Sequence, residues 1–198
     1  MTDFPAHIKT VCVYCGSSAR VADVYKDATR ELAQYLAKNG VKVVYGGGRV
    51  GLMGLLADTV LEAKGYVIGV IPEYLVYKEV QHDHLSENHV VDSMHTRKKM
   101  MVDKADAFVI LPGGFGTLDE AFEIMTWRQL GMHEKPVVFM NVNEYWTPLF
   151  AVVDKISSEG FSGAESKNLF SIANSTADLP EALLRAPTSP LDPRTKWM

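Results

Sequence analysis

The sequence predicts an α/β fold, with one parallel β-sheet lying between two layers of helices. Three observations carry that expectation. Short apolar runs alternate with longer amphipathic stretches. The runs are apolar throughout, not at every second residue, as strands covered on both faces are. The glycine-bearing turns "CGSS", "YGGGRVGLMG" and "LPGGFGT" each follow such a run, and ligands of parallel sheets sit at the carboxyl ends of the strands.

Taken in order, "KTVCVYC" reads as the first strand and "GSS" as a turn. From Asp23 to Lys38 the residues Tyr25, Ala28, Leu32, Tyr35 and Leu36 keep helical spacing, closed by Asn39 and Gly40. "VKVVY" is a second strand, a helix follows from Gly51 to Lys64, and "YVIGVI" is a third strand. Residues 72–89 are polar and read as irregular, a length that points to function or mobility. "HVVD" reads as a short strand and Ser93 to Lys104 as a helix. "AFVILP", a helix from Thr117 to Leu130, and the strand "PVVFMNV" come next. A helix from Tyr145 to Ser158 and weaker elements complete the pattern. Residues 1–185 are expected to form a single domain, and 186–198 a proline-rich tail.

Composition narrows the function. Lys and Arg number 20 against 24 Asp and Glu, a net charge of −4, which argues against a basic nucleic-acid footprint. No apolar run approaches membrane-spanning length and the first residues lack a signal-like core, so a cytoplasmic protein without membrane contact is expected. Cys12 and Cys15 form a C-x-x-C, but Cys12 lies inside an apolar run, so both read as buried small hydrophobes. His82 and His84 lack the helical pairing or cysteine company of a metal site, so no metal is expected there.

The stretch "LPGGFGTLDE" joins a strand to a helix through Gly113, Gly114 and Gly116. Free backbone N–H groups and the helix dipole at such a junction favour an anion, and the Thr117 hydroxyl can donate to an oxygen. A phosphate fits; the alternative is a tight turn. Neither a Walker motif nor the G-x-G-x-x-G fingerprint is present. Thr117 and Glu120 match a capping box, so Glu120 is either a helix cap or a catalytic carboxylate. Gly46, Gly47 and Gly48 make a second strand–glycine–helix junction, converging with Gly16 and Ser17 on one crevice. Met94, Arg97, Lys98 and Met101 form one helical stripe, so two charges interrupt an apolar face. They either snorkel or meet a ligand, and the planar fork of Arg97 makes it the better ligand contact.

Together "GGGRVGLMG", "MHTRKKMM" and "LPGGFGTLDE" resemble the LOG family of cytokinin-activating phosphoribohydrolases, over about residues 10–160. The resemblance implies a Rossmann-like fold, a homodimer, no cofactor, and hydrolysis of the N-glycosidic bond of an adenine-type nucleoside 5′-monophosphate to free base and ribose 5-phosphate. By the same resemblance Arg97 and Glu120 are the catalytic pair. Gly114, Phe115, Gly116 and Thr117 hold the phosphate, and Lys98, Glu79 and Thr126 line the nucleotide. Thr126 falls two helical turns beyond Asp119 and is expected to face the same crevice. The "lysine decarboxylase" label borne by many members finds no pyridoxal-phosphate site in these residues. The alternative function is a non-catalytic nucleotide-binding or carrier module of the same fold.

Overall fold

The computed structural model describes residues 3–79 and 81–185. The side chains of Tyr77, Lys78, Glu79 and Ala164, and the tail expected at 186–198, lie outside that description. The strands are β1 (Thr10–Tyr14), β2 (Lys42–Tyr45), β3 (Val67–Pro72), β4 (Glu87–Val91), β5 (Ala107–Ile110), β6 (Val137–Met140) and β7 (Ser171–Ala173). The helices are α1 (Asp23–Lys38), α2 (Gly51–Glu62), α3 (Glu73–Glu79), α4 (Met94–Lys104), α5 (Phe115–Gln129), α6 (Thr147–Ser158) and α7 (Leu179–Arg185). The strands form one seven-stranded sheet in the order β4-β3-β2-β1-β5-β6-β7. Every neighbouring pair is parallel.

The apolar runs behave as strands because both their faces are covered. Alternate residues of β1 point to opposite layers: Val11 and Val13 join a core with Leu32 and Leu36 of α1, Leu56 of α2 and Leu183 of α7. Cys12 and Tyr14 join the other core, with Met101 of α4, Ile124 of α5 and Phe139 of β6. Each fully buried leucine or phenylalanine contributes about 2 kcal/mol. Helix α1 buries Thr29, Leu32, Ala33 and Leu36, the single stripe its spacing called for.

Three readings need correction. Residues 72–89 are not irregular throughout, since Glu73–Glu79 is helical and β4 begins at Glu87; short polar elements leave little periodicity to detect. Helix α5 starts at Phe115 rather than Thr117, because the first turn of a helix has no intrahelical acceptor to satisfy and tolerates Gly116. Helix α6 starts at Thr147, with Pro148 in its first turn. Among the weaker elements lies β7, three residues on the sheet edge beside β6.

Candidate active site

The sheet order creates the site. From the central β1 the chain works outward to β4, then returns to β5 on the other flank of β1. The loops after β1 and β5 therefore lead to opposite layers, and a crevice opens where they part. The loops touch at its base, where the Gly16 N–H donates to the Pro112 carbonyl at 3.1 Å. Helix α2 is tied to the same point, since the Leu52 N–H donates to the Gly16 carbonyl at 3.0 Å.

The crevice spans about 530 Å³ of space, part of it open solvent. Cys15, Gly16, Ser17 and Met53 form one wall, and Gly114, Phe115, Gly116, Thr117, Arg97 and Glu120 the other. Gly114 is the N-cap of α5 and caps nothing with a side chain. The first intrahelical bond runs from the Leu118 N–H to the Gly114 carbonyl. The N–H groups of Phe115, Gly116 and Thr117 therefore precede any intrahelical acceptor, and the helix dipole makes that end attractive to an anion by about 1 kcal/mol. Around Gly114 and Gly116 there is open space where a side chain would project, so a ligand can reach the backbone. At Gly113 the reason for glycine differs: a methyl group there would run into Thr117.

The capping-box reading of Glu120 is overturned. Thr117 lies in the third helical position rather than at the N-cap, so Glu120 has no cap N–H to reach back to. Its carboxylate is buried and points at α4, with Oε1 3.4 Å from Nη2 of Arg97. Arg97 is buried too; its Nη1 donates to the Met94 sulfur at 3.4 Å, and its Nε has no hydrogen-bond partner among the described residues. Burial pushes the Glu120 carboxyl up to about 7, against the pull of Arg97. A group poised there changes charge near neutral pH and suits proton-transfer or charge-stabilising chemistry.

Gly46 supplies the back of the site, because a methyl there would occupy the place of the Arg97 guanidinium. Gly47 and Gly48 do not line the crevice. The Gly47 carbonyl accepts from the His82 N–H at 3.0 Å, and Gly48 bridges to Gln81. Lys98 is not among the lining residues and instead pairs with Asp119 of α5 at 2.7 Å and Glu123 at 3.4 Å. Gly113 faces an adjoining depression shared with Tyr25 and Tyr145, whose hydroxyl donates to the Gly113 carbonyl at 2.7 Å. Thr126 is not in this crevice. It is exposed and lines a separate apolar cavity with Phe122, Met125 and Phe170, because two helical turns carry it about 10 Å along α5. The Glu79 side chain lies outside the described residues.

Two wall residues escaped the sequence reading, Met53 and Cys15. Cys12 and Cys15 are free and buried as expected, with burial pushing both thiols up. The position of Cys15, immediately ahead of the "GSS" turn, was the only signal of its place at the crevice.

Fold and crevice together define a Rossmann-like α/β protein in which an open helix N-terminus lies beside a buried Arg–Glu pair. Residues 53–183 match the family described as "Possible lysine decarboxylase". The chain is 43% identical over 189 residues to the probable cytokinin riboside 5′-monophosphate phosphoribohydrolase LOGL1 of Oryza sativa subsp. japonica, covering 94% of this chain and 85% of that protein. It is 41% identical over 181 residues to the cytokinin riboside 5′-monophosphate phosphoribohydrolase LOG1 of Arabidopsis thaliana, covering 91% and 85%. Among solved structures, the Moco carrier protein from Chlamydomonas reinhardtii matches with a TM-score of 0.66 at 20% identity, over 89% of this chain and 96% of that one, a likeness of fold. The chain belongs to the LOG family of phosphoribohydrolase-related proteins. The decarboxylase description does not suit the crevice, since pyridoxal-phosphate chemistry needs a lysine amine and no lysine lines it among the described residues.

Proposed function

We propose that the protein hydrolyses the N-glycosidic bond of adenine-type nucleoside 5′-monophosphates, cytokinin riboside 5′-monophosphate or AMP, to free base and ribose 5-phosphate. The observation that carries this reading is the buried Arg97–Glu120 pair, 3.4 Å apart, beside the open N-terminus of α5. The relatives' names supply the bond to be cleaved.

The 5′-phosphate binds the N–H groups of Phe115, Gly116 and Thr117, with the Thr117 hydroxyl beside them. That anchor orients the ribose over Glu120. As the C1′–N bond breaks, positive charge grows on the ribose, and an ionised Glu120 stabilises it. Water adds its oxygen to C1′, and the departing base nitrogen takes up a proton, so the atoms of one water are divided between the two products. Arg97 holds Glu120 in register and keeps its carboxyl low enough to ionise near neutral pH. Thr126, matched to a family position by resemblance, stands apart from this one-chain scheme.

We read residues 1–185 as one hydrolase domain. No helix among the described residues is long and apolar enough to cross a membrane. Phe122, Leu130 and Met132 expose apolar side chains on and after α5, which supports the homodimer, and sedimentation tests it.

The deciding experiment is chromatography of the products after incubation with AMP and with isopentenyladenosine monophosphate. Base and ribose 5-phosphate together, absent with Glu120→Gln, are expected. A nucleotide-dependent thermal shift without any base release would instead make the protein a carrier of nucleotide-like ligands.

A further inference from the structure

The turn formed by Gly46, Gly47 and Gly48 leaves room for the Arg97 guanidinium, yet it has no side chains with which to hold itself in place. Its backbone is held from outside. The Tyr45 hydroxyl donates to the Gly48 carbonyl at 3.1 Å, the His82 N–H donates to the Gly47 carbonyl at 3.0 Å, and Gln81 bridges to Gly48. The bridge to Gln81 is made through that His82 bond, so the hold from beyond the turn comes from one short segment around His82.

That segment is fixed by the His82 side chain, which is 7% exposed. The His84 N–H donates to His82 Nδ1 at 3.2 Å, so Nδ1 carries no hydrogen. The hydrogen therefore sits on Nε2, which donates to Asp58 Oδ1 at 2.9 Å. Asp58 belongs to α2, the helix that also supplies Met53 to the crevice wall. Arg49 and Asp83 span the same junction at 3.6 Å, but both are exposed and such pairs contribute little. Glu79, matched by resemblance to a nucleotide contact, lies three residues before His82 on the same segment.

We propose that His82, held by Asp58, is a positioning residue for the reaction, fixing the glycine turn and through it the guanidinium of Arg97. The inference rests on the roles given above to Arg97 and Glu120. A loosened guanidinium pulls less strongly on the carboxylate it faces, so the pH at which Glu120 ionises reports on the anchor. The other groups around that carboxylate are Lys98 from α4, Asp119 and Glu123 from its own helix, and Cys12, Tyr14 and Cys15 from β1 and the turn after it. None of them touches His82 through the contacts described.

The test is His82→Ala in the full chain, with two readouts. With AMP as substrate, kcat falls about tenfold or more while KM stays within about threefold. Without substrate, the pH at which Glu120 titrates rises by roughly half a unit or more. That titration is read by adding Glu120→Gln to the parent and to His82→Ala, and following the stability difference within each pair across pH. Asp58→Asn, which keeps an acceptor for Nε2, recovers kcat to within about threefold of the parent. His82→Gln, which keeps the donor to Asp58 and loses the acceptor for His84, falls between; with Asp58→Ala it replaces His82→Ala should that variant not fold. A lowered melting temperature with an unmoved Glu120 titration overturns the proposal and leaves His82 a structural anchor, as does an unchanged kcat. If no protein releases base, the hydrolase reading has failed, and the titration alone still decides the role of His82.

Discussion

Replacing Glu120 by glutamine changes how stability depends on pH, and the direction follows from burial. In the folded protein the carboxyl is raised from its ordinary value near 4.5 to about 7, with desolvation outweighing Arg97. Between those values the folded state holds a proton that the unfolded state has released. Stability therefore falls as pH rises through this window and levels off above it. Each pH unit is worth about 1.4 kcal/mol, so the whole window amounts to about 3 kcal/mol. Glu120→Gln removes the titration while keeping shape and a hydrogen-bonding tip. The variant should match the parent near pH 4.5 and exceed it by about 3 kcal/mol at pH 8, which for a chain of this size is roughly 6–12 °C in melting temperature. Urea denaturation of both proteins at intervals from pH 4.5 to 8 measures the difference directly. Parallel profiles, or a parent that gains on the variant as pH rises, would mean that Arg97 outweighs burial and that Glu120 is ionised throughout.

In the proposed reaction the same carboxyl sets the rate. kcat/KM for AMP should rise with pH and reach its plateau above about 7, and Glu120→Gln should lower it by about a thousandfold or more; a flat profile between pH 5 and 8 would remove Glu120 from the chemistry. Gly46→Ala drives a methyl into the place of the Arg97 guanidinium, so kcat/KM should drop by about a hundredfold with far-UV circular dichroism unchanged. Thr117→Val removes one hydroxyl at a buried position beside the proposed phosphate cradle; KM for the 5′-monophosphate should rise about tenfold, while weak turnover of the unphosphorylated nucleoside stays the same.

Much of this was legible in the sequence because each signal was local. The two-sided burial of β1, β5 and β6 is written in "TVCVY", "AFVI" and "VVFM". Arg97 stood out as a charge within an apolar stripe, and it is indeed buried. Gly114 to Thr117 stood out as a strand-to-helix junction. What depended on distant parts of the chain was hidden. Glu120 is raised by burial among residues such as Tyr14, Cys12 and Cys15, which approach it from about a hundred positions away, so neither its burial nor its partner could be read from "TLDE". Lys98 shared the stripe of Arg97 but turned to Asp119 and Glu123, a choice made by the packing of α5 against α4. Thr126 shows the limit of periodicity, which assigns residues to a side of a helix but says nothing about how far along it the crevice extends. The short α3 and β7 were missed because seven and three residues carry too little pattern.

Placing the first strand in the middle of the sheet has a consequence for how the chain acquires its shape. Asp106, at the entry to β5, accepts the Thr10 N–H at 2.8 Å across 96 positions. The loops that floor the crevice meet across a similar separation, through Gly16 and Pro112. While the chain emerges during synthesis, β1 to β4 can pair and leave one side of β1 with a row of unmatched backbone groups, open to the wrong neighbour until β5 arrives. In that interval there is no pocket. A nucleotide can therefore stabilise only the finished fold, by RT ln(1 + [L]/Kd), and gives nothing to the half-made sheet that needs protection most.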